Sequence, residues 1–598
     1  MAQHAAPTTV SPGEHVGGPL VGVVLPSVVV RSIGDPRGEK RNVTEETHAS
    51  APDAIHRRMS QVARGHETQK LRLGGYPGFR DDHPVVGHEV ADPFGVVRAH
   101  RDVPLVCSCS QHRCFLIRHG LSLYRRHPRR VMPRRQGSRK VDVEPTNYER
   151  AEMTDTSRTE LAAQAYIYGF PLVFNLDQVH RYVHDGVGAN PAAPFNTFSH
   201  ARTLAGPADT FVTINNDTVY SMAQIDLSVG PVALHVPDTD GRYYVLQFVD
   251  AWTNNFAYVG HRATGTKSGD FLLVPPTWTG TPTTQTTVIR FPTTVASIVG
   301  RWACGGDDDL PAVHALQDAT TLTVVDSAGA PAGLPVPDSE VSQDLLFLEK
   351  LRIWSQAFPP APRDRELQDS FSPIGVTEHG ASPYVSLSAD DAAALADGLT
   401  AGEKNLHEAL THGSSPEANG WKLTFHAFDY NLDYFEVGAI DDPQFKIADP
   451  RLRIIERAAA AKGGLWGNHP YEAAYIMTYV DDQGTQLNGN RTYTIRLDPT
   501  PPVSAFWSLT MYSVPDFFLV ANPIDRYSIG DRTPGIVHDA DGALTITISH
   551  EEPKDATVKA NWLPCPRGDF RPVLRMYEPS PAVLDQSYVV PAITRSRE

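Results

Sequence analysis

Turn residues recur about every ten positions between residues 225 and 299, and that rhythm limits what the chain can become more than any other feature. Short apolar or alternating runs fill the intervals, at 225–227, 232–236, 243–249, 256–259, 271–274, 287–291 and 295–299. A segment broken this often has no room for long helices and folds as a sandwich or barrel. The rhythm returns near the end of the chain, with runs at 475–480, 487–490, 492–497, 505–512, 544–549 and 572–577. Between the two lie helical patterns. Leu345, Leu346, Leu348, Leu351 and Ile353 give 342–357 a broad apolar stripe, 390–410 is Ala-rich, and 451–465 ends at Gly463-Gly464. Ahead of the first β region, Ser157 and Glu160 form a capping box for a helix over 161–168. Gly169-Phe170-Pro171 should interrupt it, with 172–182 as a second helical piece. The expected fold is mainly β, α+β overall, with two β-sandwich or jelly-roll-like domains (153–306 and 466–598) and a helical connecting region (307–465).

At 598 residues the chain exceeds one core and should divide into two or three units. Its composition breaks near residue 152. The first 152 residues hold 23 Lys and Arg against 16 Asp and Glu, a balance of +7, and the rest carries −23, together the overall −16. The early stretch is rich in Arg, His, Pro and Gly, lacks sustained periodicity, and reads as disordered. Cys107, Cys109, His112 and Cys114 are spaced too tightly for a zinc knuckle. We read residues 1–152 as translated upstream sequence, with the natural protein starting at or near Met153. The acidic remainder argues against nucleic acid and toward a neutral, cationic or metal-assisted small ligand. No run approaches the roughly 18 apolar residues of a membrane span. Residues 20–30 contain Pro26 and follow no basic residue, so they make a poor signal peptide. Only Cys304 and Cys565 remain after residue 152, which fits a cytoplasmic protein without disulfides. Homo-oligomerisation is left open.

The chemistry of the chain is less legible. Residues 210–220 (TFVTINNDTVY) read as a short strand, a polar corner at Asn215-Asn216-Asp217, and a second strand. The corner is either a plain turn or a rigid edge of a binding site. No G-x-S-x-G, H-E-x-x-H or strand-to-helix dinucleotide fingerprint is present. Residues 260–269 (GHRATGTKSG) mimic a phosphate loop, but Thr266 separates Gly265 from Lys267 and the surroundings read as a hairpin, so no nucleotide cofactor is expected. The acidic runs 307–309 and 481–482 offer hard oxygen ligands to a divalent cation but lack EF-hand spacing. His426, Asp429, Asn431 and Asp433 form a denser polar set, a metal or acid–base site or a satisfied loop. The best constellation joins Asn215, Asn216, Asp217 and Tyr220 with Asp250, Trp252 and Arg301. Asp217 or Asp250 is the candidate general base, the asparagines orient a substrate, and Arg301 holds an anionic group. The alternative is an Asp217–Arg301 structural ion pair. In the last domain Trp507, Asn522, Arg526, Asn561, Trp562 and Arg575 are the corresponding binding candidates.

Two sets of ordered motifs carry a resemblance. AYIYGFPLVF, NNDTVY, YYVLQFVDAWTNN, HRATGTKSGDFLLVPPTW and IVGRW, within 166–302, resemble the family known as domain of unknown function 1254. PVSAFWSLTMY, VANPIDRYSIGDR, DGALTITIS, NWLPCPRGDFRPVLRMYEP and VVPAI, within 488–593, resemble domain of unknown function 1214. The resemblance implies two sandwich units with helical connections, and it implies no reaction. Two functions remain open. One is a hydrolase or lyase acting on a small polar substrate in an inter-domain cleft. The other is a non-catalytic carbohydrate or small-ligand binder.

Overall fold

The structure, a computed structural model, describes residues 147–209, 213–282, 286–326, 329–412 and 415–596. The readings made on residues 1–146, on the strand at 210–212 and on the Ser157 cap lie outside the described residues or side chains.

The first β region forms two sheets. Its strands are β1 (Phe198–His200), β2 (Thr218–Asp226), β3 (Val232–Val236), β4 (Tyr244–Asp250), β5 (Asn255–Gly260), β6 (Gly269–Val274), β7 (Thr287–Arg290), β8 (Val295–Ala303) and β9 (Thr321–Val324). They are ordered β1-β2-β8-β4-β5 in one sheet and β7-β6-β3-β9 in the other. Alternation fixes the faces: Val219, Ala223 and Ile225 of β2 and Leu246 and Phe248 of β4 point inward. They meet Val232, Leu234, Phe271, Leu273 and Ile289 of the second sheet in one core. Because β9 completes that sheet, the sandwich runs past residue 306, its expected limit.

The second β region repeats the plan. Its strands are β10 (Glu417–Ala418), β11 (Trp421–Leu423), β12 (Ala473–Thr478), β13 (Tyr493–Leu497), β14 (Val503–Ser513), β15 (Ser528–Gly530), β16 (Leu544–Ser549), β17 (Trp562–Pro564), β18 (Phe570–Pro579) and β19 (Thr594–Arg595). A sheet β10-β11-β12-β18-β14-β15 packs on β17-β16-β13-β19 around Ile476, Leu509, Met511, Leu574, Ile495, Ile546 and Ile548. β10 and β11 come from the region expected to be purely connecting.

The α-helices among the described residues are α1 (Asn147–His184), α2 (His261–Thr264), α3 (Leu310–Ala319), α4 (Leu346–Ala357), α5 (Arg365–Asp369), α6 (Ala389–His412), α7 (Pro450–Gly464), α8 (Ala556–Ala560) and α9 (Pro581–Leu584). α1 runs without interruption through Gly169 and Pro171, where two helical pieces were expected. Packing overrides the local penalty. Leu172, Val173, Leu176 and Val179 are buried against Leu348, Leu351 and Trp354 of α4 and Leu395 and Leu399 of α6. Gly169 is where α4 approaches: an added Cβ would stand 2.7 Å from Leu351 Cδ1. The hairpin expected at 260–269 is instead one helical turn, α2, entered from β5.

The outer face of the first five-stranded sheet lies against the outer face of the second six-stranded sheet. Tyr243, Val245, Tyr258 and Ala303 meet Phe445, Tyr471, Ala473, Phe506 and Tyr577 there. Both sandwiches belong to one compact unit. No helix among the described residues is long and apolar enough to cross a membrane.

Candidate functional site

The layer between the two sandwiches is polar where strand alternation would allow apolar contact. From β2 and β8 it receives Tyr220 and Arg301, which face each other in register. From β12, β18 and β14 it receives Tyr475, Arg575 and Ser508, one row across the sheet. Thr510, Tyr512, Arg571 and Tyr577 occupy the next positions on that face. The sequence signal was alternation: SLTMY puts a polar group at every second residue, and RPVLRMY does so except at Val573, on strands whose other residues are largely core.

Asp217 sits at the entrance to β2, 5% exposed. Asn215 builds the corner as an Asx turn, its Oδ1 accepting from the Asp217 and Thr218 backbone N–H groups at 2.6 and 3.1 Å. Its Nδ2 donates to Thr218 Oγ1 and to the Tyr220 hydroxyl at 2.8 and 3.0 Å. Asn216 donates to the Ala205 carbonyl at 2.7 Å and accepts from Ser528 Oγ at 3.3 Å. Asp217 Oδ2 accepts from Ser508 Oγ at 2.7 Å and Tyr577 OH at 3.1 Å, both from the other sandwich. Oδ1 has no hydrogen-bond donor among the described residues and is not sealed from solvent, so it remains open as an acceptor.

Arg301, 7% exposed, donates to Gln247 Oε1 at 2.8 Å and the Trp466 carbonyl at 2.9 Å, and lies 5.5 Å from the Tyr220 ring centroid. It makes no ion pair with Asp217. Arg575, 3% exposed, donates to Thr510 Oγ1 at 3.0 Å, the Thr213 carbonyl at 3.0 Å and Tyr512 OH at 2.8 Å. Arg571, 6% exposed, bonds Thr213 Oγ1 and donates to Tyr479 OH at 3.2 Å, with its guanidinium 4.0 Å from the Phe517 ring centroid. Among the described residues none of the three guanidinium groups is bonded to a carboxylate. Asp217 acts on Arg575 through space without a hydrogen bond, and a buried guanidinium with no bonded counter-charge costs several kcal/mol.

Two tyrosines complete the donor set. Tyr220 and Tyr475 are half-buried on opposite walls. Each hydroxyl accepts an amide proton, from Asn215 at 3.0 Å and from Asn468 at 3.1 Å, which leaves its own O–H free to donate. Burial pushes the Tyr475 hydroxyl above its ordinary value, while the charges of Arg301 and, less strongly, Arg575 pull it down. Thr213, which anchors Arg571 and Arg575, has φ of 57° and donates its N–H to the carbonyl of Phe517, also at φ 57°. A β-branched residue in that region is strained by about 1–3 kcal/mol, and such strain clusters at binding sites.

A latch beside this site holds the sandwiches together. Arg262 of α2 pairs with the buried Glu472 at 2.6 Å and donates to the Gly438 carbonyl at 2.7 Å. Gly438 has φ of 73°, and an added Cβ would lie 2.5 Å from the Tyr258 carbonyl. His261 pairs with Glu578 at 2.8 Å. Burial lowers His469 to about 3, so its imidazole is neutral between the hydroxyls of Tyr258 and Tyr471, each 2.9 Å from Nδ1.

Asp250 lies elsewhere. Thr218 is opposite Ala303 of β8 and Asp250 is opposite Ala296 of the same strand. Seven residues at ~3.3 Å each separate those positions, roughly 23 Å. Asp250 is capped locally by the backbone N–H and Nδ2 of Asn254, both at 2.8 Å, and burial pushes its carboxyl up to about 6. The other sequence candidates sit outside the layer. Trp252 donates to the Phe358 carbonyl at 2.8 Å within the helical core, and Trp507 is in the second sandwich core. Asn522 closes its own loop onto the Arg526 carbonyl, and Arg526 and Asn561 satisfy carbonyls around β16 and β17. Trp562 is buried and donates to the Ser549 carbonyl.

The metal readings find structural partners. Asp309 pairs with Arg242 at 2.6 Å, and Asp481 accepts from Gln483, Thr485 and Arg595. His426 pairs with Asp429 at 2.7 Å, Asn431 donates to two carbonyls, and Asp433 pairs with Arg363. No group of three or more His, Cys, Asp or Glu among the described residues is arranged to hold a metal ion. Lys267 of the glycine-rich stretch is exposed and pairs with Asp238 at 2.9 Å.

Comparison with known proteins agrees with this architecture. The crystal structure of the VPA0106 protein from Vibrio parahaemolyticus matches at 25% identity with a TM-score of 0.57, covering 74% of this chain and all of that one. An uncharacterized protein from Burkholderia cenocepacia matches at 12% identity and a TM-score of 0.35 over 75% of this chain and 96% of that one, too low to bear on the fold. No curated protein matches the chain. Residues 195–324 match the protein family of unknown function DUF1254 and residues 472–581 match DUF1214, so the chain carries the two domains in tandem, one in each sandwich.

Proposed function

We propose that the protein binds a small organic anion in the layer between its two sandwiches. The observation that carries this is the set of three buried guanidinium groups in one layer, Arg301, Arg571 and Arg575, none bonded to a carboxylate among the described residues. Hydroxyls of Tyr220 and Tyr475 add neutral donors. Such a lining favours an acceptor-rich ligand over a neutral sugar, and its local positive charge outweighs the acidic surface that had pointed to neutral or cationic ligands. A two-carboxylate hydrolase draws no support, because that chemistry needs its pair within about 5–10 Å. The open Oδ1 of Asp217 favours a second reading, a lyase-type reaction in which Asp217 takes a proton from the bound anion. The two buried free thiols, Cys304 and Cys565, suit a reducing compartment such as the cytoplasm.

The test is isothermal titration with acetate, butyrate, succinate and citrate against the wild type, Arg301→Met and Arg575→Met. At least one anion should bind, and each variant should lose about tenfold or more in affinity, the loss of one charge-assisted contact of 1.4 kcal/mol or more. Absence of binding by all four anions, or wild-type affinity in either variant, contradicts the proposal.

A further inference from the structure

The three arginines are not equivalent, and their arrangement narrows the ligand. Arg301 stands on the first sandwich, tied to Gln247 and Trp466. Arg571 and Arg575 stand on the second and converge: both bond Thr213, and both lie over the Tyr512 ring, at 5.9 and 5.5 Å from its centroid. Two like charges drawn onto one residue repel. Among the described residues neither bonds a carboxylate, and Nε of Arg571 is buried without a hydrogen-bond partner. The remaining acids of the layer are engaged elsewhere, Glu472 with Arg262 and Glu578 with His261. Three guanidinium groups meet Asp217 as the carboxylate of the layer without a basic partner, which leaves the layer a positive excess. Those charges stand on two walls, and the hydroxyls of Tyr220 and Tyr475, which accept from Asn215 and Asn468, can still donate.

We propose that the ligand is a small dicarboxylate, one carboxylate held by Arg301 and Tyr220 and the other by Arg575 and Arg571. This rests on the anion site argued above and adds the second charge. Arg571 beside Arg575 gives the second wall two guanidinium groups for one carboxylate.

Titration with succinate, butyrate and methyl phosphate tests the claim, since succinate and butyrate share a four-carbon chain and differ by one carboxylate. The wild type should bind succinate at least about tenfold more tightly than butyrate or methyl phosphate. Arg571→Met should lower succinate affinity by more than it lowers butyrate affinity, so that the preference for succinate narrows by about threefold or more. Arg571→Lys, which keeps the charge, should retain a preference and serves if the Met variant does not fold. Equal wild-type affinity for succinate and butyrate overturns the dicarboxylate but leaves the anion site standing. Methyl phosphate matching succinate overturns it as well, by placing both charges on one group. Binding of none of the three removes the underlying site.

Discussion

The two ends of one five-stranded sheet each bury an aspartate, and the two aspartates are built for different work. Asp250 takes both hydrogen bonds on its carboxylate from Asn254, four residues away, within a tight hairpin. Arg457 then caps Asn254 Oδ1 at 2.7 Å, and Asp364 ties Arg457 and Arg453 into the same cluster. Asp217 receives its donors from residues 291 and 360 positions away, in another sandwich, and keeps one oxygen open. A buried acid closed by its own neighbours holds a hairpin together. One met from a second domain, with an acceptor left over, belongs to a site.

The largest contrast should be in stability. Removing Asp364 strands two buried guanidinium groups, so Asp364→Ala should cost about 3–5 kcal/mol in urea unfolding. Asp217→Asn keeps an acceptor for Ser508 and Tyr577 and should cost about 1 kcal/mol or less. It should also tighten succinate binding, because it removes the carboxylate of the layer that has no basic partner. A large stability loss with no gain in affinity would break the distinction between the two ends.

Next in size is the pH dependence. Asp250 has its folded value raised to about 6, so its contribution is complete below an unfolded value near 4 and is lost as pH rises through 6. Over two pH units that amounts to at most about 3 kcal/mol. His469, lowered to about 3, works in the other direction: stability is full above an unfolded value near 6.5 and falls as pH drops toward 3. Asp250→Asn should therefore make the wild-type stability curve rise more steeply between pH 4 and 6, and His469→Gln should flatten or invert it. Denaturant midpoints across that range read both signs, and an unchanged slope in either variant counts against the assigned titration. The smallest effect concerns a residue the sequence flagged in the second domain. Asn522→Ala should cost about 1 kcal/mol through its lost loop bonds and leave anion affinity unchanged.

These contrasts also show what could be read beforehand. The two sandwiches were legible because turn residues and period-2 alternation are local signals, and the ordered motifs pointed to the same pair of domains. The continuity of α1 was not, because the local code penalises Pro171 and the compensating contacts come from α4 and α6. The candidate site was half legible. Asn215, Asn216, Asp217, Tyr220, Arg301 and Arg575 do assemble in one layer. Asp250 and Trp252 looked equivalent to them because both end an apolar strand, and only the strand register shows that they leave at the opposite end. Ser508, Tyr475, Tyr577 and Arg571 were missed since their roles depend on which sheet face meets the other sandwich.

The most direct test of the central claim is a pair of crystal structures, one grown with succinate near its measured dissociation constant and one without any organic anion. The account predicts difference density between Arg301 and Arg575, within hydrogen-bond distance of a guanidinium on each wall and of the Tyr220 or Tyr475 hydroxyl. Density confined to the surface, with the bonds of Arg301 to Gln247 and of Arg575 to Tyr512 unchanged and the layer closed in both crystals, would contradict it.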